Sequence, residues 1–99
     1  MRVIARKTLV EFWNRPGRGA SEKPLRAWFD AVAKADWSNP ADVKSEYRTA
    51  SFVGNDRVVF NISGNRFRLV VAVHYRARIV FIRFIGTHEE YDRIDVKEV

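Results

Sequence analysis

Residues 49–74 read TASFVGNDRVVFNISGNRFRLVVAVH. β-Branched and aromatic residues dominate this stretch, and Gly54-Asn55-Asp56 and Ser63-Gly64-Asn65 interrupt it where hairpin turns would. The spacing predicts strands over Thr49–Val53, Arg57–Ile62 and Arg66–His74, and a further one over Ile79–Ile85 after the turn Tyr75-Arg76-Ala77-Arg78. Side chains alternate across a strand, so Phe67, Leu69, Val71 and Val73 share one face, and Arg68, Val70, Ala72 and His74 the other. Arg68 therefore projects from a half-apolar face, which suits a cleft better than open solvent.

The chain on the N-terminal side of this stretch has a different texture. Arg2–Ala5 reads as a short strand, and Arg6–Asn14 as a helix with Leu9, Phe12 and Trp13 at i, i+3, i+4, ended by Arg15-Pro16-Gly17. Ser21 is the expected N-cap of a second helix, whose Leu25, Trp28, Phe29 and Val32 make a core stripe. Asn39-Pro40 provides a cap and a first-turn proline for a short helix over Ala41–Tyr47 that carries Lys44 outward. On the C-terminal side, Thr87-His88-Glu89-Glu90 fits the S/T-x-x-E capping box, so a helix is expected to start just after the last strand. His88 and Tyr91 then stand on adjacent turns of one face.

A length of 99 residues accommodates one domain, 1–99, with a single core. The composition, 46% hydrophobic with three Trp and seven Phe, is that of a packed globule. The absence of cysteine excludes a disulfide framework, a thiolate metal site and a thiol nucleophile, and makes the cytoplasm the expected compartment. Met1–Val10 reads as neither signal peptide nor membrane span, and no membrane partner is expected.

The net charge of +6 calls for an anionic partner. From Arg57 to Gly86 there are six arginines and no lysine or acid, whereas Thr87–Val99 holds five acids and two bases. Arginine pairs with phosphate through two N–H groups and stacks on bases, so the acid-free stretch reads as an RNA surface, with an arginine-rich solvated sheet face as the alternative. No glycine loop of the nucleotide-binding kind is present, which argues against a nucleotide-dependent enzyme. Two histidines without metal-ligand spacing favour chemistry without metal or cofactor. The serines sit in caps and polar turns and lack a nucleophile elbow.

A metal-free ribonuclease needs a base for the ribose 2′-OH, cations for the phosphorane oxygens and an acid for the departing 5′-oxygen. The groups available for this are Arg66, Arg68, Arg83, Lys44, His74, His88 and Tyr91. His88 is the first choice for proton transfer, because imidazole exchanges protons near neutrality and the residue opens a helix beside the arginines. A ring that only bonds a neighbouring backbone group is its structural alternative. Tyr91 is either an acid, a stacking platform or a clamp for the terminal helix. His74, at a strand end, reads as structural.

The run Val59-Phe60-Asn61-Ile62-Ser63-Gly64-Asn65-Arg66-Phe67-Arg68-Leu69-Val70, followed by Thr87-His88-Glu89-Glu90-Tyr91-Asp92, resembles the HigB toxin pattern V-F-N-I-x-G-N-x-x-R-L-V and T-H-x-x-Y-D. The first half is similar more loosely, through its opening strand, paired helices and Asn39–Lys44. The resemblance implies an α+β, RelE-like fold with helices packed on a curved, mainly antiparallel sheet whose concave surface holds RNA. It implies the toxin of a type II toxin–antitoxin pair, an endoribonuclease that cleaves mRNA on the ribosome. It also implies a cognate helix-turn-helix antitoxin, through which alone the toxin would meet operator DNA. Arg68, His88 and Tyr91 lie in the matched motifs and, with Arg83, are the expected catalytic set. Arg66, Lys44, Asn61 and Asn65 are the expected RNA contacts, although the two asparagines also suit turn geometry. A non-catalytic RNA- or ribosome-binding inhibitor of translation is the rival reading. A third is a protein-interaction subunit that represses its own operon with the antitoxin.

Overall fold

The computed structural model describes all 99 residues. In chain order the elements are β1 (Arg2–Ile4), α1 (Arg6–Trp13), α2 (Glu22–Lys34), α3 (Pro40–Glu46), β2 (Ser51–Val53), β3 (Arg57–Ile62), β4 (Phe67–His74), β5 (Ile79–Thr87) and α4 (His88–Tyr91). They form a five-stranded sheet in the order β1-β5-β4-β3-β2, with β1 parallel to β5 and every other pair antiparallel. The fold is thus α+β with a mainly antiparallel sheet, as the sequence indicates. The strands differ at their ends: β2 begins at Ser51, two residues after the expected start, and β5 continues to Thr87.

Turn chemistry explains the hairpins. Asn55 and Asp56 adopt φ of +60°, and Ser63 and Gly64 adopt +56° and +67°, the left-handed region that glycine and asparagine tolerate best. Of the expected caps, Asn39 holds α3 by accepting the Asp42 N–H at 3.1 Å. Ser21 does not cap α2. It is buried in a 3₁₀ turn over Gly19–Ser21, and its hydroxyl donates to the Arg18 carbonyl instead.

Helices α1, α2 and α3 cover one face of the sheet. Leu9, Phe12 and Trp13 with Leu25, Trp28 and Val32 meet Phe60, Phe67, Leu69, Val71 and Val73 in one core. Phe60 is its hub, edge-on to Trp28 and Tyr47 and stacked on Trp37, with ring centres 5.5, 5.1 and 6.4 Å away. Phe29 departs from the expected core stripe: it is only half-buried and carries the Arg6 guanidinium 5.6 Å from its ring centre.

The opposite face carries Arg57, Val59 and Asn61 of β3, then Arg68, Val70, Ala72 and His74 of β4. The sequence assigns this half-apolar, arginine-bearing face to RNA. Its centre is in fact closed, for Val59, Val70 and Ala72 are 2% exposed or less, although no helix of the main core lies over them. The chain after α4 returns across this face and is tied at the β2–β3 turn. Arg57 donates through Nε and Nη2 to the Val99 carbonyl at 3.1 and 2.6 Å, and Asn55 donates to the Lys97 carbonyl at 3.1 Å. The acid-free stretch also gains counter-charge from outside: Arg78 pairs with Asp36 at 3.3 Å and donates to the Trp37 carbonyl at 2.6 Å. Arg57 and Arg78 therefore hold the fold together, whereas Arg66, Arg68, Arg76 and Arg83 are in no ion pair.

Candidate active site

The site forms where β5 runs into α4. Thr87 closes both halves of a capping box: its hydroxyl accepts the Glu90 N–H at 3.1 Å, and the Glu90 carboxylate accepts the Thr87 N–H at 2.8 Å. The first turn of α4 is also fastened to the sheet, since the His88 N–H donates to the Arg66 carbonyl at 3.2 Å. Two residues far apart in sequence are thereby held side by side. Gly86, paired with Arg68 across the sheet, leaves room for this turn, because a Cβ there would stand 3.1 Å from the Glu90 carboxylate and closer still to the Phe84 ring.

An open cavity of about 480 Å³ lies over this junction, walled by Arg18, Asn65, Arg66, His88 and Arg93, with Glu89 and Glu90 at its side. Glu90 bridges to Arg15 and Arg18, each at 3.8 Å. The Thr87 backbone N–H holds its carboxyl below the ordinary value of 4.5, and the Thr87 hydroxyl, Arg18 and Arg15 add to this against the cost of burial. A depressed carboxylate stabilises the fold fully above its unfolded value, and that contribution fades as pH falls through the folded one. Thr87→Ala is expected to cost about 1 kcal/mol at neutral pH, as lost N-caps do. Glu90→Gln should also be less stable than wild type at pH 7, with a gap that narrows toward about pH 3, read by urea unfolding at both pH values.

His88 is half-exposed, and its Nδ1 lies 3.2 Å from Asp92 Oδ2, one turn on. The carboxylate beside Nδ1 favours the ring proton on that nitrogen, which leaves Nε2 as the acceptor. Tyr91 faces the sheet, where the Arg68 guanidinium lies 5.1 Å from its ring centre. Arg68 Nε is buried without a hydrogen-bond partner. Arg83 is the unpaired residue of a bulge, since Val70 pairs with Phe84 but Val71 with Ile82. Its guanidinium lies 5.4 Å from the Phe81 ring centre.

The matching family model is that of HigB toxins, described as the RelE-like toxic component of a toxin–antitoxin system, and it spans residues 21–94. The chain belongs to this family. It is 30% identical over 94 residues to the mRNA interferase toxin HigB of Escherichia coli K12, covering 93% of this chain and 88% of that protein. The mRNA interferases HigB of Escherichia coli O157:H7 and Shigella flexneri align over the same lengths at the same identity. Membership in a toxin–antitoxin family implies an antitoxin partner for this toxin.

The residues singled out in the sequence fall into separate groups within the toxin. His88, Arg66 and Asn65 share the main cavity. Arg68 and Tyr91 form a stacked pair beside it, and Asn61 joins Asn65, Gly64 and Thr49 around a second depression of about 390 Å³. Lys44 stands apart, its Nζ donating to the Ala50 carbonyl at 2.7 Å, so that it braces the path from α3 to β2. His74 packs edge-on to Phe81 at 5.0 Å. Arg18, Arg93 and Glu90 line the cavity and Asp92 stands beside His88, four residues that no motif assigns to a site. The i,i+4 spacing of His88 and Asp92 was a usable signal, and Arg18, in a loop without a motif, offered none.

Proposed function

We propose that this toxin is an endoribonuclease that cleaves mRNA by transesterification and so stops translation. The observation that carries the reading is the pairing of His88 with Arg66, fixed by a backbone hydrogen bond and opening on one cavity with Arg18 and Arg93. A proton-transfer group beside three guanidiniums is what in-line attack on a phosphodiester needs. The named activity of the E. coli and Shigella relatives agrees with it.

In this mechanism His88 Nε2 takes the proton of the ribose 2′-OH, and the 2′-oxygen forms a bond to phosphorus. Arg66 and Arg18 face the developing charge on the phosphoryl oxygens. The bond to the 5′-oxygen breaks, and that oxygen takes a proton from solvent or from the Tyr91 hydroxyl. The products are a 2′,3′-cyclic phosphate and a 5′-hydroxyl end. Asp92 holds the His88 ring and its rising positive charge, while the Tyr91 ring keeps Arg68 flat beside the strand and offers a face for a base. Asn61 and Asn65 supply hydrogen bonds to the RNA, and Arg83 supplies charge along its path. Lys44 acts through the shape of the α3–β2 connection.

The reaction as proposed requires no metal or cofactor. It takes place in the cytoplasm, on mRNA engaged with the ribosome, and a helix-turn-helix antitoxin neutralises it and carries the complex to operator DNA. Pure toxin incubated with translating ribosomes should create new mRNA ends, and toxin first stripped with a chelator and then freed of it should do so at the same rate. Ribosomes that stall with intact mRNA would instead mark an inhibitor acting by occupancy, and loss of cleavage by the stripped toxin would overturn the metal-free mechanism.

A further inference from the structure

Strand β3 is longer than the strand that covers its outer edge. β2 pairs with it only from Arg57 to Val59, whereas β3 runs on to Ile62. The alternation of the β3–β4 ladder is fixed by the Val73 N–H bonding to the Asp56 carbonyl, with Arg57 paired to Ala72 in the same register. It turns the backbone of Arg57, Val59 and Asn61 toward the β2 side. Arg57 and Val59 meet β2 there; Asn61 meets nothing, because the chain before Ser51 has turned away through the Ala50–Tyr47 hydrogen bond. One N–H and one C=O are thus left on an open sheet edge.

Beside this edge lies a groove of about 390 Å³ between α2 and the β3–β4 hairpin. Its α2 wall is Pro24, Ala27, Trp28 and Ala31, and Tyr47 and Ile62 close the other side. Trp28 is 2% exposed, and its indole Nε1 is buried with no acceptor. An unsatisfied buried donor is costly, and the cost is relieved when a partner supplies an oxygen. The small residues Ala27 and Ala31 are exposed, and at helical spacing they share a ridge with Lys23 before them and Lys34 after them. Neither lysine is in an ion pair. The segment that includes α2 is basic as a whole: residues 1–35 hold eight bases and three acids, and the remainder ten and nine.

We propose that this groove is a docking site for an extended, acidic segment of the antitoxin. The segment adds one strand residue to β3 at Asn61, lays an apolar side chain against Ala27, Ala31 and Trp28, and places its carboxylates at Lys23 and Lys34. An RNA strand is the less suitable occupant, since the groove is lined mainly by apolar side chains, with Asn61 and Ser63 its polar members, and has no cation among them to meet a phosphate. The groove shares no lining residue with the His88 cavity, and of the proposed RNA contacts only Asn61 borders it, here through its backbone, so the proposal does not depend on how His88 performs its chemistry.

The test uses full-length toxin and antitoxin. Ala27→Glu with Ala31→Glu places two like charges in the path of the segment at exposed helical positions that the core does not use. Calorimetry should show the antitoxin binding at least roughly tenfold more weakly to this variant, while its mRNA cleavage without antitoxin matches wild type. Hydrogen exchange should show the Asn61 amide protected in the wild-type complex and fast in the free toxin. The proposal is overturned if the folded double variant binds the antitoxin as tightly as wild type, or if Asn61 exchanges equally fast in both states. It is equally overturned if the variant loses cleavage and keeps its antitoxin affinity, which would give the groove to RNA.

Discussion

Replacing His88 by glutamine lowers the single-turnover rate of mRNA cleavage by roughly 10²–10⁴-fold, the usual contribution of a positioned acid or base. Glutamine keeps size and polarity, and the backbone bond from residue 88 to the Arg66 carbonyl does not involve the side chain, so fold and RNA affinity survive. Asp92→Asn gives a smaller loss in the same direction, because an amide oxygen at 3.2 Å from Nδ1 still orients the ring but does not neutralise an imidazolium. A folded His88→Gln toxin that cleaves at the wild-type rate would move the proton transfers to Tyr91 and leave His88 as a structural residue.

The second large effect is on binding. Arg66→Glu with Arg68→Glu places two anions where two cations face the RNA, and affinity for a single-stranded RNA should fall by about 10²-fold or more at low salt. Wild-type affinity declines steeply as salt rises, and the variant's slope should be shallower by roughly one for each lost phosphate contact. Arg68→Glu also removes the cation beneath the Tyr91 ring, a packing loss of the order of 1 kcal/mol, so unfolding is measured in parallel. Equal affinity in the folded variant, or binding indifferent to salt, contradicts the assignment of these arginines to RNA.

The sequence discloses what depends on neighbours along the chain. The hairpins at Asn55-Asp56 and Ser63-Gly64, the Asn39 cap and the Thr87–Glu90 capping box are local devices, and each forms in the structure. Strand alternation likewise placed Arg68 opposite the core-facing Leu69. What stayed hidden depends on long-range return of the chain. The segment after Tyr91 closes the sheet face that alternation left open, and Arg57 is anchored by Val99 across 42 positions. Arg18 enters the site from the other half of the molecule through Glu90. The bulge that sets Arg83 apart is a one-residue mismatch between strands, which no pattern within β5 reveals. Ser21 failed as a cap because its short 3₁₀ turn satisfies the hydroxyl before α2 begins.

The central claim is that RNA is cut at the junction of β5 and α4 by attack of its own 2′-hydroxyl. Its most direct test is the chemistry of the ends made by purified wild-type toxin and by His88→Gln on the same translated mRNA. The account predicts 5′-hydroxyl and 2′,3′-cyclic phosphate ends from wild type, and almost none from the variant in the same time. Ends bearing a 5′-phosphate, or equal yields from the two proteins, would contradict it.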